Sequence, residues 1–132
     1  MTFLIHARVA TAGGAPLLVQ LSYTASDPVA VRAVILHAGE PLACWYFERQ
    51  MLADGLHRPV GEGAVRFRPV SSGPKRDLRI ELRGADRAGQ DRAVLLANAD
   101  GVAAFLNRTY AAVPADSESA HLDDQLDALL SR

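Results

Sequence analysis

Short runs in which apolar and polar residues alternate, each cut by a turn bearing Gly or Pro, fill most of this chain. Such patterning has one main solution, half-buried strands that each reverse tightly into the next. Phe3, Ile5, Ala7 and Val9 alternate with Thr2, His6 and Arg8. Thr11-Ala12-Gly13-Gly14-Ala15-Pro16 supplies a turn, because Gly accepts positive φ and Pro fixes its own. Leu17, Val19, Leu21 and Tyr23 mark one face of a second strand, which Ser26-Asp27-Pro28 breaks. A third, from Val29 to Ala38, is rich in β-branched and apolar residues and reads as deeply buried. After Gly39-Glu40-Pro41, a fourth covers Leu42 to Tyr46.

The period then changes. Phe47, Met51 and Leu52 fall at i, i+4 and i+5, which predicts a short helix over Phe47 to Asp54, ended by Gly55 as a left-handed residue. Leu56 to Gly63 is a connector containing Gly and Pro. Three more strands follow, carried by Val65 and Phe67, by Leu78, Ile80 and Leu82, and by Ala93 to Ala97. Ser71 to Pro74 and Gly84 to Gly89 are the turns between them. Val102, Phe105, Leu106 and Thr109 form a helical apolar stripe that Pro114 stops, and Leu122, Leu126, Leu129 and Leu130 form another. The expectation is an α+β fold of antiparallel sheets, with a short helix after four strands and helices at the C-terminus. With 132 residues the chain makes one domain. Its core spans residues 1–114, and residues 115–132 are a linker and a C-terminal amphipathic helix of the same domain.

Hydrophobic residues at 49% and charged residues at 22% exclude a disordered chain. No run approaches the ~20 apolar residues of a membrane span. The N-terminus has no basic region before its short apolar run, so neither membrane insertion nor a secretory signal is expected. Cys44 is the only cysteine; no internal disulfide can form, and a reducing, cytoplasmic setting follows. The net charge of −1 is unevenly spread. His57 to Arg92 holds nine Arg or Lys against five Asp or Glu, and Pro114 to Arg132 holds five acidic residues against one basic. The basic middle suits either a polyanion or the solvated face of a sheet, and the second is the simpler reading.

Residues that could carry chemistry do not assemble into a pattern. His6, His37, His57 and His121 lie on separate elements with no metal-ligand spacing, so no metal site is expected. Cys44 lies in an apolar strand and is expected to be a small buried hydrophobe, with Trp45, Tyr46 and Phe47 packed in the core beside it. Neither a nucleophile elbow nor a phosphate-cradling glycine loop occurs, and no cofactor is expected. Asp123 and Asp124 are adjacent on a helix and point apart, which does not suit paired-carboxylate catalysis. In Arg66-Phe67-Arg68 alternation sends Phe67 inward and both arginines out, which removes the stacking platform that single-stranded nucleic acid needs. The chain reads as a binding protein and not as an enzyme.

Three stretches narrow this further. They are Tyr23-Thr24-Ala25-Ser26-Asp27-Pro28-Val29-Ala30-Val31, the long block from Trp45 to Val65, and Phe105-Leu106-Asn107-Arg108-Thr109 leading to Val113-Pro114. The most specific part is Phe47-Glu48-Arg49-Gln50-Met51-Leu52 running into Gly55-Leu56-His57-Arg58-Pro59 and Gly61-Glu62-Gly63-Ala64-Val65. Together they resemble the SsgA-like sporulation and cell-division proteins of actinomycetes, in the right order over nearly the whole chain. Met51, Ala64, Arg68 and Val29 depart from the residues common there. The resemblance implies a Whirly-like fold, a trimer, and a non-enzymatic adaptor that helps place the septum in sporulation-specific division. FtsZ or another SsgA-like protein is the partner it implies, and division septa the location. The alternative is a single-stranded nucleic-acid-binding protein of Whirly-like fold, which the basic middle favours and the overall charge opposes.

The candidate protein-contact residues are Leu56, His57, Arg58 and Pro59. Pro59 stiffens their loop, and Gly61 and Gly63 return the chain tightly into the next strand. A loop held in this way loses little entropy on binding. The competing reading is a structural corner with Leu56 packed inward.

Overall fold

The computed structural model describes residues 1–11, 13–83 and 92–116. Its elements run β1 (Thr2–Val9), β2 (Pro16–Thr24), β3 (Asp27–His37), β4 (Glu40–Glu48), α1 (Arg49–Gly55), β5 (Val60–Glu62), β6 (Val65–Ser72), β7 (Lys75–Arg83), β8 (Arg92–Asn98) and α2 (Ala99–Ala112). The strands form one sheet in the order β4-β3-β2-β1-β8-β7-β6-β5, antiparallel throughout. The expected plural sheets are thus a single sheet. It consists of two four-stranded meanders joined where β1 meets β8, each followed by a helix.

The seam between the meanders is narrow. Ala7, Arg8 and Val9 alone pair with Ala97, Leu96 and Leu95, whereas β1 pairs with β2 all the way from Thr2 to Arg8. So short a ladder lets the sheet curl until the apolar faces of its halves share one core. Ile5, Val19, Leu21, Val31 and Ile35 from the first half join Phe67, Leu78, Ile80, Leu82 and Leu95 from the second. Leu52 of α1 and Val102 and Phe105 of α2 complete the cluster. Within it lies a cavity of about 20 Å³ lined by apolar side chains of both halves and both helices. One water would fit, but with no polar partner it has no reason to enter.

The alternation of the sequence is carried faithfully into β1, β2, β6 and β7, and Phe67 points inward with Arg66 and Arg68 exposed. Elsewhere the chain departs from expectation. The connector contains an eighth strand, β5, too short to alternate visibly. Helix α1 starts at Arg49, because β4 continues to Glu48 and keeps Phe47 paired with Val31. There Phe47 meets Phe67 edge-on, with ring centroids 5.0 Å apart. Gly55 is the last helical residue and its φ is not positive. It is small for a different reason: a Cβ there would sit 2.5 Å from Cβ of Phe67, so glycine lets α1 lie directly on β6. The left-handed conformation appears instead at Ala38 and Gly39, with φ of 51° and 81° between the paired His37 and Glu40. Two positive φ values make a type I′ hairpin, a turn that matches the twist of its strands.

Cys44 is exposed, contrary to expectation. Strand β4 lies at the edge of the sheet, and its alternation puts Cys44 and Tyr46 on the outer face while Trp45 and Phe47 turn inward. Tyr46 is therefore no core residue, at 66% exposure. An unbroken apolar run conceals which face is which, and here both faces are apolar. The expected turn from Gly84 to Gly89 and the terminal helix lie outside the described residues.

Candidate functional site

Helix α1 is too short to hold itself and is fixed by its first residue. The Arg49 side chain has no exposed surface. Its guanidinium donates to the carbonyl oxygens of Thr109 at 3.1 Å and Val113 at 2.7 Å, at the C-terminal end of α2. It also lies between two rings, 5.0 Å from the centroid of Tyr23 and 4.0 Å from that of Tyr110. A helix C-terminus is the negative end of the dipole and leaves carbonyls without intrahelical partners, so a cation suits it. The Tyr23 hydroxyl in turn donates to the Pro28 carbonyl at 3.0 Å. One arginine thereby locks α1 to α2 and both to β2.

The far end of α1 turns straight into the candidate contact segment. The backbone N–H of Leu56 donates to the Ala53 carbonyl, and those of His57 and Arg58 donate to the Asp54 carbonyl at 2.9 and 3.0 Å. Arg58 also reaches the Asp54 carboxylate at 3.1 Å. Every N–H from Leu56 to Arg58 is thus spent on the helix end, and Pro59 has none. Leu56 is partly buried against the core, while His57, Arg58 and Pro59 are exposed. Beside them, between α1 and α2, a groove of about 240 Å³ is walled by Ala53, Leu56 and His57 on one side and Ala103, Leu106 and Tyr110 on the other. The four candidate residues are therefore one rigid corner, with Leu56 anchoring it and the others facing solvent.

The outer face of the second half-sheet carries a feature the sequence reading treated only as bulk charge. Glu81 is mostly buried and its carboxylate is gripped by Arg79 at 3.1 Å and Arg92 at 2.8 Å. Burial alone would push this carboxyl up; the hydrogen bond from Arg79 and the charge of Arg92 outweigh it and hold it below its ordinary value of 4.5. Asp77, likewise buried, is held by Arg8 at 2.9 Å. His6, His37 and His57 stand apart, and no cluster of His, Cys, Asp or Glu able to hold a metal occurs among the described residues. No helix among them is long and apolar enough to cross a membrane.

The family model described as Streptomyces sporulation and cell division protein, SsgA, matches residues 17–118. The chain belongs to the SsgA family. It is 37% identical to the sporulation-specific cell division protein SsgB of Streptomyces coelicolor over 131 residues, covering 96% of this chain and 93% of that one. The SsgB of Kineococcus radiotolerans is also 37% identical, over 97% of this chain and 74% of the relative. Among solved structures, an SsgA-like sporulation-specific cell division protein from Thermobifida fusca superposes with a TM-score of 0.82 at 30% identity, covering 100% of this chain and 95% of that one. A structure from Streptomyces coelicolor, whose SsgB mutations correlate to longitudinal cell division during sporulation, gives 0.80 at 36% identity over 91% and 93%. The chain is thus a member of a family whose relatives are sporulation-specific cell division proteins.

Sequence reasoning pointed to Leu56 to Pro59 and passed over the contacts of Arg49, Tyr23 and Tyr110. Their signal was present in part: Tyr23 and Arg49 both fall within the stretches that carry the family resemblance. An arginine heading a helix otherwise reads as surface, and only the fold brings Tyr110 to it.

Proposed function

We propose that this chain helps place the division septum by holding a protein of the division machinery, FtsZ or another SsgA-like protein, at the corner formed by Leu56, His57, Arg58 and Pro59. The observation that carries this reading is an exposed segment whose backbone is already fixed by α1, opening onto the apolar groove beside α2. Preorganisation of this kind leaves more of the contact energy for affinity. The protein acts in the cytoplasm and gathers at septa. A pull-down from sporulating cells, with FtsZ probed first, tests the reading; capture of no division protein contradicts it.

The same reading includes a homotrimer of Whirly-like fold. Two meanders, each closed by a helix, support the fold name. Leu4 and Tyr46, exposed by 56% and 66% on the outer face of the first half-sheet, support assembly through that face. Light scattering should give three times the monomer mass, and Leu4→Glu with Tyr46→Glu should lower it.

A further inference from the structure

A groove of about 410 Å³ runs along the outer side of β5, β6 and β7, lined by Pro59, Val60, Gly61, Arg66, Phe67, Arg68, Arg79 and Glu81. It begins where the contact corner ends, since Pro59 belongs to both. From it we infer a second binding surface, for an extended acidic segment of a partner protein whose carboxylates are taken by Arg66, Arg68 and Arg79. The inference stands whether or not the corner holds FtsZ.

The charges in the groove are arranged for carboxylates. Arg66 and Arg68 lie two residues apart on the exposed face of β6, and Arg68 stands opposite Arg79 in the register with β7. Among the described residues neither Arg66 nor Arg68 takes part in an ion pair. The one carboxylate in the lining, Glu81, already accepts from Arg79 and Arg92, so its charge is compensated from within. That pairing also fixes Arg79, whose remaining N–H groups still donate. Gly61 sets the place of Arg66: a Cβ on Gly61 would sit 2.7 Å from Cγ of Arg66, so the arginine stem lies across a bare backbone. Forked guanidinium groups in such an array take carboxylates two N–H groups at a time.

The same features disfavour a nucleic acid. The only aromatic in the lining, Phe67, is 2% exposed and faces the core, so no base can stack. Phosphate-driven binding rests on a denser run of cations than three arginines with Glu81 among them.

The test uses the full chain and a fluorescent oligoglutamate peptide as probe, with binding followed by anisotropy at low salt. Arg66→Glu with Arg68→Glu should weaken binding at least about tenfold, two repulsive sites having replaced two attractive ones. The charge-matched control Lys75→Glu with Arg108→Glu, both exposed and outside the groove, should weaken it less than about threefold. Gly61→Ala, which displaces Arg66 without changing charge, should also weaken binding while leaving the control surface untouched. Equal losses in the two double variants would overturn the proposal, reducing it to net charge. Saturable binding that survives in the groove variant would overturn it too, as would tighter binding of an oligothymidylate of equal charge.

Discussion

Replacing Arg49 removes the buried side chain that bonds the start of α1 to the C-terminal end of α2. Each hydrogen bond from a charged donor contributes about 1.5–3 kcal/mol. Each ring facing the guanidinium adds about 0.5–2 kcal/mol. Arg49→Ala loses two such bonds and two such rings and leaves a void, while it relieves the cost of burying the charge. The balance is a loss of about 3–4 kcal/mol, a large share of the ~5–15 kcal/mol that holds a domain together. Arg49→Met keeps the stem and loses the guanidinium with both its hydrogen bonds and its ring contacts, while it too relieves the buried charge; the difference between the two variants isolates the void, and Arg49→Met should cost about 2 kcal/mol. Urea denaturation measures both, through a lower midpoint at an unchanged slope. If Arg49→Ala lies within about 1 kcal/mol of the parent, α1 and α2 are not held by this arginine and the reasoning fails.

Ala38→Asn should stabilise the protein by about 0.5–1 kcal/mol in the same assay, because Asn tolerates the left-handed conformation that Ala38 holds at φ 51°. Gly55→Ala should destabilise by about 1–3 kcal/mol, since its Cβ meets the backbone-proximal part of Phe67. Glu81 has a lowered carboxyl pKa, so its contribution is present above the ordinary value of 4.5 and lost as pH falls through the folded value below it. Glu81→Gln should therefore flatten the fall in stability across that acid window, and a melting curve at several pH values reads it directly.

The parts of the fold legible in the sequence were those where one face is polar. Leu78, Ile80 and Leu82 alternate with Arg79, Glu81 and Arg83, and that contrast shows which face of β7 turns to the core. In β4, from Leu42 to Phe47, apolar residues occupy both faces, so nothing local told Cys44 and Tyr46 to face outward. Only their place at the edge of the sheet decides it, and strand order is not a local property. The corner was visible because Gly55, Pro59, Gly61 and Gly63 punctuate it, although the punctuation acts differently at Gly55 from what its position suggested. The groove of Arg66, Arg68 and Arg79 was visible as charge but not as a site, since β6 and β7 must pair before the arginines converge.

The central claim is that the exposed corner after α1 is where this adaptor holds its partner. The double substitution His57→Ala with Arg58→Ala tests it most directly. Both side chains are exposed, and the Arg58–Asp54 pair is a surface ion pair worth about 0–1 kcal/mol, so folding should survive almost unchanged. The variant should melt and assemble like the parent, yet fail to gather at septa or to capture the division protein that the parent captures. Full septal localisation and capture by that folded variant would contradict the claim and leave Leu56 to Pro59 as a structural corner alone.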